Sequence, residues 1–208
     1  MNTNELQSEM KEVLLKYKFA KDVLETDLNI LLKEYELTNG YNPVEHVKSR
    51  IKSSESAIKK LERKGYDITP SNIVKHVHDM VGLRIVCSFL SDVSQIVNVI
   101  KRSNLFEIKE ERDYIKTPKD SGYISYHLNV LVPIHLIDTT EYIEAEIQIR
   151  TVAMDFWASL DHKLRYKINS QLPEDIIQEV YDCSNVIKDL DCKMEKLHAK
   201  INEIKNRG

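Results

Sequence analysis

The stretch YIEAEIQIR, residues 142–150, alternates at every second position, with Glu144, Glu146, Gln148 and Arg150 on one side and Ile143, Ala145, Ile147 and Ile149 on the other. Successive side chains of a strand point to opposite faces, so the pattern predicts a strand with one apolar and one polar face. An earlier segment repeats it, with Tyr123, Ser125, His127 and Asn129 set against Ile124, Tyr126, Leu128 and Val130. If the two strands pair, their polar faces form one wall. Further strands are expected at about 106–115 and in the β-branched run LRIVCSF at 83–89, with a helix capped by Ser91 and running to about Arg102 between them. The order βαβββ predicts an α+β fold built on a mixed β-sheet.

Helices flank this core on both sides. Apolar residues from Leu6 to Tyr35 recur at intervals of three and four, which predicts one long amphipathic helix ending at Asn39-Gly40. Asn42 as N-cap and Pro43 at the first helical position predict a second helix, running to about Lys64. Thr69-Pro70-Ser71 starts a short helix, Thr151 to Lys167 has helical spacing, and a final helix follows Pro173. The expected organisation is an N-terminal helix over 1–40, a core over 41–168 and a C-terminal helix over 169–208, together one structural domain. The long terminal helices carry more apolar stripe than a core of this size needs, which suggests oligomer contacts.

Composition narrows the function. Gly 5 and Pro 5 in 208 residues exclude collagen-like and low-complexity classes. Thirty Lys+Arg against 33 Asp+Glu, a formal charge of -3, leave no overall excess for polyanions, so no stable nucleic-acid partner is expected and any anion site must come from local clustering. Cys87, Cys183 and Cys192 are odd in number and lack C-x-x-C spacing, which argues against a disulfide framework and a zinc site. The opening MNTNELQSEMKEV has no apolar run and no stretch is long enough to span a membrane, so a cytoplasmic protein is expected.

At about 100° per residue, the expected helix over 42–64 would place Lys52, Ser56, Lys59, Lys60 and Arg63 on one arc and Val47, Ile51, Ala57, Ile58 and Leu61 on the opposite one. A solvated basic face is one reading. A polyphosphate cradle is the other, favoured by a hydroxyl among four cations with no acid on that arc. The polar wall of the sheet divides in the same way, between mere exposure and a nucleotide site using carboxylate, amide, imidazole, phenol and guanidinium groups. Asp79, at a helix-to-strand junction before Gly82, joins Glu146 in offering two carboxylates to a hard cation such as Mg²⁺. His76 and His78 ahead of Asp79 would also suit a metal phosphohydrolase, but no further acidic or histidine cluster follows at useful spacing.

Four segments together, RIKSSESAIKKLERK at 50–64, HDMVGLRIVCSF at 78–89, ERDYIKTPKDSGYISYH at 111–127 and EAEIQIRTVAMDFWASLDHKLRYK at 144–167, resemble the small alarmone synthetases of the RelA/SpoT family, most closely the RelQ-like group. The resemblance implies a nucleotidyltransferase-like mixed sheet and Mg²⁺-dependent transfer of pyrophosphate from ATP to the 3′-hydroxyl of a guanosine nucleotide. It implies that Arg50 and Arg84 sandwich the adenine, and that Lys52, Ser56, Lys60 and Arg63 hold the ATP phosphates. Tyr123 would stack on guanine, with Lys119, Ser121, His127 and Gln148 near the acceptor. Asp79 and Glu146 would bind Mg²⁺, Glu146 serving also as base. A homotetramer is implied as well. Two positions depart from the family's pattern: Ile124 stands where a basic residue is usual, and Asp155 stands where close relatives have an Asn placed against guanine. A carboxylate there can accept from the guanine N1 and N2 amides. Three alternatives remain within reach of the sequence: a toxin transferring pyrophosphate to the tRNA 3′ end, a non-catalytic nucleotide sensor, and a helical assembly or RNA-binding protein.

Overall fold

The computed structural model describes residues 3–166 and 173–205. Residues 1–2, 167–172 and 206–208, which include expected ends of three helices, lie outside the described residues. Along the chain run α1 (Thr3–Asn39), β1 (Val44–Ile51), α2 (Ser54–Arg63), α3 (Pro70–His76), β2 (Val81–Cys87), α4 (Leu90–Arg102), β3 (Glu107–Asp113), β4 (Tyr126–His135), β5 (Thr140–Thr151), α5 (Val152–Tyr166) and α6 (Glu174–Lys205). The five strands form one sheet in the order β1-β2-β5-β4-β3. The β2–β5 pair is parallel and the other pairs are antiparallel, the mixed α+β architecture expected from the alternating segments.

The apolar alternates of the strands face one way. Leu83, Ile85, Leu128, Val130, Ile147 and Ile149 are buried against Tyr17, Ala20, Leu24 and Leu28 of α1 and Val93, Ile96 and Ile100 of α4. Full burial of each large aliphatic side chain contributes roughly 1.5–3 kcal/mol. The long first helix is therefore part of the core and leaves the opposite, polar face of the sheet uncovered by it.

The second helix does not begin at Asn42. Asn42 Oδ1 accepts from the Val44 N–H at 3.0 Å, closing a turn that feeds the edge strand β1. Val47, Ser49 and Ile51 turn toward α1, where Ser49 Oγ donates to Glu25 at 2.6 Å, and His46, Lys48 and Arg50 turn to the polar side. Ser53 is the true N-cap of α2, its Oγ accepting from the Ser56 N–H at 3.2 Å. Of the cationic arc, only Ser56, Lys59, Lys60 and Arg63 share a helix, opposite the buried Ala57 and Leu61; Arg50 lies on β1 and Lys52 in the connection after it. Val47 and Ile51, four residues apart, fit a helical and an extended period alike, so spacing alone does not decide this segment. Nor does Ser91 cap α4. The first turn is satisfied by carboxylates, Asp92 accepting from the Phe89 N–H and Glu195 of α6 from the Ser91 N–H, each at 3.0 Å.

Helix α6 is tied to the core by polar contacts. Thr151 Oγ1 donates to the buried Asp191 at 2.7 Å, Trp157 Nε1 donates to the Val180 carbonyl at 3.1 Å, and His198 stacks on Phe89 with ring centroids 4.0 Å apart. It also presses on the loop joining β3 to β4. Gly122 in that loop has φ +84°, and a Cβ there would stand 2.5 Å from Ser184 Oγ and 3.3 Å from Tyr181. Gly122→Ala is therefore expected to lower stability by about 2 kcal/mol or more, from backbone strain and the clash together; thermal denaturation checks this, and adding Ser184→Ala should recover part of the loss.

Candidate active site

The polar face is ordered by register. One row across the sheet runs Lys48, Arg84, Gln148, His127 and Arg112, and the next runs Arg50, Gly82, Glu146, Asn129 and Glu110. Gly82 leaves a gap in the second row. The Arg50 side chain lies over it, its Nε 3.5 Å from where a Cβ would stand, and a cleft of about 230 Å³ opens between Arg50, Gly82, Arg84 and Gln148.

Asp79 enters from the turn between α3 and β2. Lys52 Nζ donates to one of its carboxylate oxygens at 2.9 Å and Lys60 Nζ to the other at 2.7 Å. Burial alone would raise its pKa, but the two ammonium groups outweigh burial and hold the carboxyl at about 2. Glu146, central on the wall, lies close enough to feel the Asp79 charge. His127 Nδ1 meets Glu146 Oε2 at 3.0 Å and Gln148 Nε2 donates to Oε1 at 2.6 Å. Burial works against ionisation of Glu146 too, and the His127 and Gln148 contacts overcome it, so its pKa is lowered. Both carboxylates are thus charged near neutral pH.

A relay of hydrogen bonds leads away from Glu146. His127 Nε2 faces the Tyr123 hydroxyl at 2.8 Å, so these partners assign an Nδ1–H donating to Glu146 and an Nε2 accepting from tyrosine. Arg150 Nη2 donates in turn to the Tyr123 hydroxyl and, at 2.8 Å, to Gln148 Oε1. Burial raises the Tyr123 pKa against the opposing charge of Arg150. Lys119 Nζ lies 4.5 Å from the Tyr114 ring centroid and 5.0 Å from that of Tyr123, at the edge of the loop that carries Ser121. Asp155, expected beside guanine, has its carboxylate engaged by Arg84 at 2.9 Å and Arg150 at 3.2 Å.

The fold therefore gathers Arg50, Lys52, Lys60, Asp79, Arg84, Tyr123, His127, Glu146, Gln148 and Asp155 along one face, with Ser56 in the first turn of α2 beside it. Arg63, exposed one turn beyond Lys60, and Ser121 belong to the group by position rather than by contact. Of the two histidines ahead of Asp79, His76 stacks on Tyr66 at 3.7 Å and His78 pairs with Glu144, so neither joins a phosphohydrolase centre. Two participants had no role assigned from the sequence: Arg150, buried at 3% exposure under the wall, and Tyr114 beneath Lys119. Alternation in 142–150 already placed Arg150 on the polar face; nothing local marked it as the hub of four side chains.

As to metals, no three His, Cys, Asp or Glu side chains converge among the described residues. Two ionised carboxylates that lie near enough to interact, Asp79 and Glu146, nevertheless fit Mg²⁺, which usually takes one or two carboxylates and completes its shell with water and substrate phosphates. No helix among the described residues is long and apolar enough to cross a membrane.

Comparison with known proteins shows the family. Residues 49–171 match the region found in RelA / SpoT proteins. The chain is 48% identical over 197 residues to the GTP pyrophosphokinase YwaC of Bacillus subtilis, covering 95% of this chain and 94% of that protein. The crystal structure of small alarmone synthetase 2 from Bacillus subtilis superposes with a TM-score of 0.81 at 46% identity, over 91% of this chain and 97% of that one. Small alarmone synthetase 1 from the same organism, bound to its product pppGpp, superposes at 0.83 with 33% identity, over 92% and 97% of the two chains. With the family region matching more than half its length, and its fold that of the synthetases, the chain belongs to the RelA/SpoT family.

Proposed function

We propose that this protein is a GTP pyrophosphokinase that moves the β,γ-pyrophosphate of ATP onto the 3′-hydroxyl of GDP, GTP or GMP, releasing AMP and making (p)ppGpp-type alarmones of the stringent response in the cytoplasm. The observation that carries the reading is a pair of ionised carboxylates near enough to feel each other's charge, Asp79 held by two lysines and Glu146 by His127 and Gln148. In the reaction the 3′-oxygen attacks the β-phosphorus, the bond from that phosphorus to the α-bridging oxygen breaks, and the hydroxyl proton passes to Glu146. The ionised state of Glu146 suits it to receive that proton. Asp79 and Glu146 would hold Mg²⁺, which would supply positive charge to offset that of the transferred phosphates.

The remaining roles follow the geometry. Arg50 and Arg84 border a cleft of a size to admit a purine base, and planar guanidinium groups suit stacking on adenine. Lys52, Ser56, Lys60 and Arg63 would take the ATP phosphates, the two lysines exchanging the Asp79 carboxylate for phosphate oxygens as ATP arrives. Tyr123 would stack on guanine, with Lys119, Ser121, His127 and Gln148 around the acceptor. Positioning and charge neutralisation carry most of the acceleration in phosphoryl chemistry of this type. The family likeness to a synthetase bound to pppGpp supports the assignment of the acceptor.

We also propose a homotetramer. Val186, Leu190, Met194, Leu197, Ile201 and Ile204 are all more than 40% exposed and follow one another at three- and four-residue steps along α6, a coiled-coil-like seam suited to a second copy.

Three outcomes are expected. With labelled ATP, Mg²⁺ and GMP, GDP, GTP or deacylated tRNA supplied separately, label appears at the 3′ position of a guanosine nucleotide with AMP released, and Glu146→Gln and Asp79→Asn each lower turnover by at least about 10²-fold; label on tRNA alone, or none on any acceptor, would overturn the assignment. Because the folded pKa of Asp79 is depressed to about 2, its contribution to stability is present above the unfolded pKa of about 3.9 and fades as pH falls toward 2. Melting temperature should therefore drop over that interval, and less steeply in Asp79→Asn. Light scattering should report about four times the monomer mass of 24.3 kDa.

A further inference from the structure

Asp155 sits in the first turn of α5, a helix whose start is fixed by Thr151 Oγ1 accepting from the Met154 N–H at 3.1 Å. A negative side chain there is favoured by the helix dipole. Its Oδ1 accepts from Arg84 Nη1 at 2.9 Å and from Arg150 Nη1 at 3.2 Å, and its Oδ2 stands 4.0 Å from His46 Nε2. A carboxylate oxygen has about two lone pairs, so Oδ1 is already fully engaged.

The two arginines come from neighbouring strands and repel. The Arg84 pKa is lowered first by burial and then by the Arg150 charge, with Asp155 the leading opposing influence. Arg84 Nε is buried without a partner among the described residues, so Asp155 is the anchor that holds this guanidinium in one orientation. Arg84 borders the cleft beside Arg50, whereas Arg150 reaches Tyr123 and Gln148. A single carboxylate thus joins the side of the wall assigned to ATP with the side assigned to the guanosine acceptor.

We infer that Asp155 is a positioning residue, one that fixes Arg84 for ATP and Arg150 for the acceptor wall by bridging the two guanidinium groups, instead of a contact to guanine. The inference rests on the function proposed above. An Asn at this position could accept the same two hydrogen bonds but would leave two cations facing each other without a counter-charge, so the difference between the two residues is electrostatic.

The test is a double-mutant cycle on ATP binding. Affinity for the analogue α,β-methylene-ATP with Mg²⁺, and no acceptor present, is measured calorimetrically for wild type, Asp155→Asn, Arg84→Gln and the double variant. Asp155→Asn should weaken binding about tenfold, and should weaken it no further in the Arg84→Gln background, because a residue acting through another adds nothing once that other is gone. Asp155→Asn should also raise KM for GDP and IDP by the same factor. Wild-type affinity in Asp155→Asn, losses that multiply in the double variant, or a selective loss of GDP over IDP with ATP binding intact would each overturn the inference, the last by returning Asp155 to the guanine. If circular dichroism shows Asp155→Asn unfolded, Asp155→Glu, whose longer side chain displaces Arg84, should weaken ATP binding in the same direction, and unchanged affinity there overturns the inference equally. Wild-type protein that binds no ATP analogue would overturn the proposed function itself, a failure distinct from that of Asp155→Asn alone.

Discussion

The two-residue period of β5 is the constraint on which the rest of the molecule depends. This strand lies at the centre of the sheet, parallel to β2 on one side and antiparallel to β4 on the other. A slip of one residue would carry Glu146 and Gln148 into the core and Ile147 and Ile149 onto the polar wall, so burial and site geometry enforce the same register. The helix α1 seals the apolar side, and that sealing lets the opposite side be given over to charge.

Charge on that face is stored in matched groups. Asp79 is balanced by Lys52 and Lys60, and Arg84 and Arg150 by Asp155, while Glu146 is held by hydrogen bonds from His127 and Gln148. Half-buried ions without partners would be expensive, and satisfied networks of this kind rigidify the side chains that compose them. The balance is also exchangeable, because an ammonium group that meets a carboxylate can equally meet a phosphate, and a carboxylate that meets an ammonium can equally meet a divalent cation.

The strands that bear the site were readable because alternation of Ile with Glu or Gln has no other explanation than a two-faced strand. Edge strand β1 was not, since Val47 and Ile51, four residues apart, satisfy either period and Asn-Pro opens turns as readily as helices; tertiary pairing with β2, invisible locally, decided the matter. Lys60 and Arg63 kept their shared helical face despite that error, whereas Arg50 and Lys52 reach the same site from extended backbone. The pairings that give the site its electrostatics, Lys52 and Lys60 on Asp79 or Arg84 on Asp155, join residues far apart in the chain and carry no periodic signature. Likewise the close approach of Ser184 to Gly122 depends on where α6 lies across the core, which its own pattern of exposed leucines and isoleucines does not disclose.

The parallel pairing of Val81 with Ala145, and of Cys87 with Thr151, also has a kinetic meaning. Strand β2 has no inner neighbour until β5 has been made, and β5 lies between β2 and the hairpin partner β4 that precedes it in the chain. Closing so long an intervening segment costs entropy before any contact repays it, and contacts of this range slow folding. The wall of polar groups is continuous only once β5, the last strand in the chain, has paired with both β2 and β4 and joined the two halves of the sheet.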